Sequence, residues 1–496
     1  MLNTETQPAQ NQEGDSVPLC VDLDRTLVAS DTFMESLVAL VKAAPLDLLQ
    51  LPWWCLQGLP EFKRRVADRI EVDPAKLPYR PTILEFLQTE KGHGRRLVLA
   101  TASDHQVARG VADHVGLFDD VIATNGIAGN STNLRRSAKL EAIRHLIGDQ
   151  PFDYVGDSSD DLAVWAGARR AYLVDPAPKV LEQARRMGNV EKVFDQRPAG
   201  STAAAAVRAI RPQQWIKNLL LAVPMFLGQQ LGDLGAWLAL VVAIVAFSLC
   251  ASSVYVVNDL LDVPADRQHP IKRRRPFAAS LLKVETGLVM AVLLALTGLL
   301  LAVMLPGAFL GALVAYVMAA SAYSFWAKGR VVIDVLLLAG LYTLRIVAGG
   351  AATATLASPW LLALSLFLFL SIAFAKRYAE LTLVEASRGH KAHGRGYVVQ
   401  DLSLIGNLGP TSGYLAVLVF ALYINLSDQV KGFYERPLLL WLICPLLLYW
   451  ITRIWFKAHR RELGDDPLLF ALTDRTTYLV SLLVVVIAFF ANQSIL

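Results

Sequence analysis

The chain has 496 residues, 54% of them hydrophobic, a mean hydropathy of +0.42 and a formal net charge of +4. So apolar a composition excludes an ordinary soluble domain, and so small a charge, segregated by loop, reports membrane topology and excludes nucleic acid as the partner. Four cysteines, Cys20, Cys55, Cys250 and Cys444, lack metal-ligand spacing, which excludes a disulfide framework or a zinc site and fits a reducing compartment.

Residues 1–16 are polar, with no apolar core and no basic flank, so they are expected to be a disordered lead rather than a signal peptide. From residue 17 to 195 short apolar runs alternate with helical stretches, the pattern of an α/β domain with a largely parallel sheet. Strands are expected over 18–23, 96–101, 121–124, 152–156 and 171–174. Ligands of such sheets collect at the carboxyl ends of strands. There stand Asp22 and Asp24, then Thr101 and Ser103, then Asp157 and Asp161, with Lys139 between the last two groups. A lone pair of aspartates at a strand end often does no more than cap a helix, but four elements in order say more.

This set resembles the haloacid dehalogenase superfamily, mostly phosphatases that work through an aspartyl phosphate. The resemblance implies that Asp22 is the nucleophile and Asp24 the general acid and base. It implies that Thr101 and Lys139 hold phosphoryl oxygens, and that Asp22, Asp157 and Asp161 hold Mg²⁺. Residues 31–94 fall where that superfamily inserts a cap. Trp53 and Trp54 within them are expected to pack into a core rather than face a bilayer. A decayed domain kept as a scaffold is the alternative.

A linker is expected over 196–210, and a membrane domain over 211–496. Segments of roughly 20 apolar residues are needed to span a bilayer. On that length the rest divides into nine: 216–231, 236–259, 284–305, 307–327, 331–353, 359–381, 408–426, 437–456 and 476–492. Eighteen Lys and Arg fall in the loops on one side, against Lys431 and Arg436 on the other. The positive-inside tendency then places the loop after the second span and the front domain at the cytoplasmic face of the cell (inner) membrane.

That loop carries the densest chemistry. Asp259, Asp262 and Asp266 recur at spacings of three and four, which on a helix would stack them on one face beside Asn258. Such a stack repels itself unless a cation sits in it, and hard oxygen ligands suit Mg²⁺ with a bound diphosphate. The cations Lys272, Arg273, Arg274 and Arg275 follow and suit a further phosphate. A positively charged cytoplasmic loop explains the cations but not three carboxylates in register.

The stretch Asn258 to Pro276 resembles the aspartate-rich motif of the UbiA superfamily of intramembrane prenyltransferases. Its form, NDxxDxxxDxxHPxKRxRP, is similar to the decaprenyl-phosphate phosphoribosyltransferase subgroup, which uses phosphoribosyl diphosphate. The resemblance covers roughly residues 208 to 496. It implies that Lys217, Asn218, Lys328, Arg345, Lys376 and Arg377 line one phosphate-binding cavity with Asp334 and Glu380. Many members acting on aromatic acceptors carry a second aspartate-rich motif, for which this chain offers only Asp334.

The expectation is a multidomain, bifunctional membrane enzyme. Its membrane half would transfer 5-phosphoribose from phosphoribosyl diphosphate to a polyprenyl phosphate lipid with Mg²⁺, and its front domain would then remove the 5-phosphate. The first alternative is a transferase that moves a prenyl group from prenyl diphosphate to an aromatic or other small acceptor. A transporter with a fused regulatory domain is the second. Homo-oligomers are compatible with either half.

Overall fold

The computed structural model describes residues 17–125, 133–195, 201–228, 232–355, 357–386, 395–463 and 467–492. The expected lead over 1–16 lies outside the described residues, as do residues 196–200 of the expected linker. The chain divides into two compact units: the chain up to Ala206 together with Asp259–Gly287, and Val207–Asn258 together with Leu288–Leu496.

The first unit is built on a six-stranded sheet of order β3-β2-β1-β4-β5-β6, comprising β1 (Leu19–Val21), β2 (Leu97–Asp104), β3 (Asp120–Thr124), β4 (Asp153–Gly156), β5 (Arg170–Val174) and β6 (Val190–Phe194). All neighbouring strands run parallel. Alternate residues serve the two faces, as the pleat requires. Leu19, Val21, Leu97, Leu99 and Val155 pack into one cluster, and Cys20, Val98, Tyr154 and Leu173 into the other. Burial on both faces explains why the central strands read as apolar runs. The sixth strand was not expected, because only Phe194 is buried in its sequence Val-Glu-Lys-Val-Phe at the sheet edge.

Strand order reverses at β1, so β1 and β4 lie side by side and their carboxyl ends form the crevice where such sheets bind ligands. Between β1 and β2 stand the helices Thr32–Ala43, Leu51–Leu56 and Leu59–Arg69, which share a cluster of Leu40, Trp54, Phe62 and Val66. Trp54 is core, as expected, whereas Trp53 is exposed. The Pro81–Gly92 helix packs Ile83 and Leu87 against the sheet instead.

Among the described residues seven helices are long and apolar enough to cross a membrane: Leu234–Leu261, Val284–Val303, Gly307–Phe325, Ile333–Ala352, Pro359–Ala386, Val399–Leu426 and Pro437–His459. Arg475–Ala491 is a shorter apolar helix. The expected first segment, 216–231, takes another form: a 3-10 stretch over Pro212–Ala222, then the short helix Val223–Leu227. Pro224 has no N–H to continue the preceding turns, so the chain restarts there.

Candidate active sites

Asp22 follows β1 directly, and its N–H donates to Val155 O of β4 at 3.0 Å. Across the crevice the Lys139 Nζ donates to Asp22 Oδ1 at 3.0 Å, to Asp161 Oδ1 at 3.1 Å and to the Tyr154 hydroxyl at 2.9 Å. Tyr154 in turn donates to Asp161 Oδ1 at 2.7 Å. The other Asp161 oxygen accepts from the Asp157 and Ser158 N–H groups, each at 3.1 Å. Gly156 permits this turn, since a Cβ there would lie 2.7 Å from Asp161 Cγ. Asp22, Asp157 and Asp161 each offer a carboxylate oxygen, and the three oxygens lie within 4.8 Å of one another.

The electrostatics follow from this geometry. Burial pushes the Asp22 carboxyl up to about 7, against the pull of Lys139. Burial, then the charges of Asp161 and Asp22, hold Asp157 well above the usual carboxylate range. Burial alone would raise Asp161 too, but Lys139 and the hydrogen bonds from Tyr154 and Ser158 outweigh it and hold Asp161 low. Two buried carboxylates, Asp22 and Asp161, and the half-buried Asp157 therefore face one ammonium. Hard oxygen donors with surplus negative charge are the donor set that suits Mg²⁺.

Asp24 is pinned at both oxygens: the Thr32 N–H donates to Oδ1 at 2.6 Å, and the Ser103 hydroxyl donates to Oδ2. Thr101 is fully buried in β2, and its Oγ1 accepts the Ser103 N–H at 3.0 Å, which leaves its own proton to donate to an anion. The structure thus brings together the side chains of Asp22, Lys139, Asp157 and Asp161 at the carboxyl ends of β1 and β4. Sequence reasoning missed Tyr154 and Thr32, which sit within a strand and at a helix start with no motif to mark them.

The aspartate-rich stretch departs from the single helix expected for it. The Leu234–Leu261 helix stops before Asp262, and a separate short helix, Val263–Gln268, follows with Pro264 in its first turn. Arg275 closes the turn: its Nη1 donates to Asp259 Oδ1 at 3.0 Å and to Asp266 Oδ2 at 2.7 Å. Asp259 and Asp266 are buried, while Lys42 Nζ lies 3.5 Å from Asp262 Oδ1. Among the described residues Asp259, Asp262 and Asp266 do not converge as closely as Asp22, Asp157 and Asp161 do. His269 Nδ1 accepts the N–H groups of Ile271 and Lys272 and so folds the basic run into a 3-10 turn, on which Arg273 and Arg274 are exposed.

In the second unit the expected polar residues form two groups. Arg345 is buried. It donates to Asn218 Oδ1 at 3.0 Å, Leu341 O at 2.7 Å and the Tyr316 hydroxyl at 2.9 Å. Lys217, also buried, lies 5.8 Å from the centre of the Tyr342 ring. The other group centres on Arg377, which pairs with Asp334 at 2.6 Å and with Glu380, and donates to the Tyr323 hydroxyl at 2.8 Å. Tyr397 donates to Asp334 at 2.7 Å, and Arg395 donates to Tyr323 and to Lys328 O. Lys376 is half-buried beside Arg377. Asp334 and Arg345 lie on one helix, Ile333–Ala352, eleven residues apart. At 1.5 Å per residue that sets their backbone positions about 16 Å apart along the helix axis.

Comparison with known proteins agrees with both halves. The UbiA prenyltransferase family matches residues 219–470, and the haloacid dehalogenase-like hydrolase family matches residues 19–165. An uncharacterized protein, y4nM, of Sinorhizobium fredii is 34% identical over 470 residues, 94% of this chain and 90% of that protein. A decaprenyl-phosphate phosphoribosyltransferase of Mycobacterium tuberculosis is 33% identical over 298 residues, 59% of this chain and 95% of that protein. A solved UbiA homologue of Archaeoglobus fulgidus, bound to DMAPP and Mg²⁺, covers 57% of this chain and 96% of its own, with 16% identity and a TM-score of 0.44. With seven helices fit to cross a membrane, this chain is a multi-pass membrane protein that belongs to the UbiA prenyltransferase family and carries a haloacid dehalogenase-like hydrolase domain at its N-terminal end.

Proposed function

We propose that the chain transfers 5-phosphoribose from phosphoribosyl diphosphate to a polyprenyl phosphate at the cytoplasmic face of the inner membrane, and then hydrolyses the 5-phosphate of the product. The observation that carries this reading is the match to a decaprenyl-phosphate phosphoribosyltransferase through 95% of that protein's length. In the transfer step an oxygen of the lipid phosphate attacks C1 of the ribose as the bond from C1 to the diphosphate breaks, with inversion at C1. Asp259, Asp262 and Asp266, with Asn258, would hold Mg²⁺ at the diphosphate, and Lys272, Arg273 and Arg274 would bind further phosphate oxygens. Lys217, Asn218 and Arg345 offer donors to a second phosphate, and Lys328, Lys376 and Arg377 add positive charge in the other polar group.

In the hydrolytic step an Asp22 oxygen attacks phosphorus as the ester P–O bond breaks, and Asp24 gives its proton to the departing ribose oxygen. Asp24 then takes a proton from water, whose oxygen displaces Asp22 and releases inorganic phosphate. Lys139 would neutralise charge on the phosphoryl oxygens and the Thr101 hydroxyl would donate to one of them, and Asp157 and Asp161 with Asp22 are the residues that would hold Mg²⁺. At both sites the bound ion supplies charge neutralisation of phosphate oxygens.

The test gives the purified protein and Mg²⁺ either labelled phosphoribosyl diphosphate with polyprenyl phosphate, or labelled prenyl diphosphate with 4-hydroxybenzoate. Label in the lipid from the first pair alone is the expected result. Prenylated hydroxybenzoate from the second pair would replace this reading with prenyl transfer.

A further inference from the structure

Glu35 and Arg267 stand 232 residues apart, yet both belong to the first compact unit. The Arg267 Nη2 donates to Glu35 Oε1 at 2.6 Å, and the two side chains are only 12% and 7% exposed. Two further contacts join the same segments. Arg25 Nη2 lies 2.5 Å from Glu285 Oε1, and Lys42 Nζ lies 3.4 Å from Leu261 O and 3.5 Å from Asp262 Oδ1. Those outer pairs are partly solvated and contribute little. The buried pair differs, because breaking it would strand a charge away from water.

The position of Glu35 matters as much as its burial. It lies one turn into the Thr32–Ala43 helix, whose first N–H, from Thr32, holds Asp24. Arg25 is the residue after Asp24 and has a left-handed backbone, with φ of 61°. The elements that orient Asp24 are therefore the same ones that grip the segment carrying Asp262 and Asp266.

We propose that the Glu35–Arg267 pair is a clasp that docks the front domain on the aspartate-rich segment, so that the chain that makes the lipid-linked phosphomonoester also hydrolyses it. This rests on the two-step reading above. Holding one site beside the source of its substrate raises that substrate's effective concentration without any new contact to it. Glu35 and Arg267 are then positioning residues.

The experiment uses the full chain in vesicles that hold on average less than one copy, supplied with Mg²⁺, polyprenyl phosphate and labelled phosphoribosyl diphosphate. Wild type, Glu35→Arg, Glu35→Gln, Arg267→Glu and the double reversal are compared on three readouts: lipid-bound label, the share of lipid product keeping its 5-phosphate, and hydrolysis of p-nitrophenyl phosphate. Each charge reversal is expected to raise the 5-phosphate share about tenfold, well beyond any fall in p-nitrophenyl phosphate hydrolysis, with Glu35→Gln following more weakly. The double reversal is expected to bring the share back, as a direct pair requires. Normal lipid processing by both single reversals overturns the clasp. So does loss of p-nitrophenyl phosphate hydrolysis in parallel with lipid processing in both Glu35 variants, which would make the pair a prop of the fold. Equal 5-phosphate in wild type and an Asp22→Asn control identifies the separate failure, that of the hydrolytic reading itself.

Discussion

Lys139 is the residue on which the hydrolytic site balances. Its ammonium sits between Asp22 and Asp161 with 4% of its side chain exposed, and burial, which would lower its proton affinity, is outweighed by those two carboxylates. Lys139→Met keeps the chain's bulk but strands two buried carboxylates, so it is expected to cost about 3 kcal/mol of stability as well as the activity. Thermal unfolding of the full chain in detergent, followed beside p-nitrophenyl phosphate hydrolysis, checks both. Ser103 acts more narrowly. Its hydroxyl donates to Asp24, so Ser103→Ala frees one oxygen of that carboxylate, the other staying on the Thr32 N–H, without touching the Asp22 cluster. The expected result is a fall in kcat of about tenfold with KM for the small ester nearly unchanged, the pattern of a group that acts through the acid and base. A raised KM with normal kcat would place Ser103 on the substrate instead. Asp22, Lys139, Asp157 and Asp161 were legible because their order along the chain is a motif. Tyr154 and Glu35 were not, since a tyrosine in a strand and a glutamate in a helix carry no signal until folding places them.

At the scale of elements, the helices legible from hydropathy are those whose apolar run is long enough to cross a bilayer, and the exception is informative. The 3-10 stretch Pro212–Ala222 reads as the start of a span by composition, yet it packs its backbone against the Ile333–Ala352 helix. A Cβ at Gly349 would lie 1.9 Å from Leu221 O, so the approach depends on the glycine. Because the obstacle is backbone rather than a flexible side chain, Gly349→Ala must push the two elements apart. Such overpacking costs about 1–3 kcal/mol. The same shift moves Asn218, which lies on the 3-10 stretch, away from Arg345 on the helix. Gly349→Ala is therefore expected to lower both the unfolding temperature in detergent and the rate of lipid labelling, and unchanged values of both would remove this packing from the account. The aspartate-rich stretch teaches a similar lesson. Its spacing suggested one helix, but Pro264 restarts the backbone there, and Arg275, which the sequence shows only as one of four cations, joins Asp259 to Asp266.

For the whole molecule, the question is whether two catalytic centres on one chain work independently. The candidate nucleophile Asp22 and the candidate metal ligand Asp262 belong to different motifs, and no residue of the Asp22, Lys139, Tyr154 and Asp161 network is shared with the Asp259, Asp266 and Arg275 network. Each substitution should then remove one step and spare the other. Asp262→Asn takes a charge from the proposed diphosphate site with little change of shape, and a loss of several hundredfold in lipid labelling is expected, on the order of 4 kcal/mol in the transition state. Its hydrolysis of p-nitrophenyl phosphate should stay near wild type. Asp22→Asn removes the candidate nucleophile and the charge that faces Lys139 but leaves the aspartate-rich segment untouched, so labelling should continue at close to the normal rate while the product stops at the lipid-linked ribose 5-phosphate. Mass spectrometry of the extracted lipid separates the two products by one phosphate. If hydrolysis follows transfer, as proposed, the double variant should match Asp262→Asn in lipid output and Asp22→Asn in small-ester hydrolysis. A double variant that loses more than either parent on its own readout would show that the two centres share a step, and the picture of two separate reactions on one chain would then have to give way.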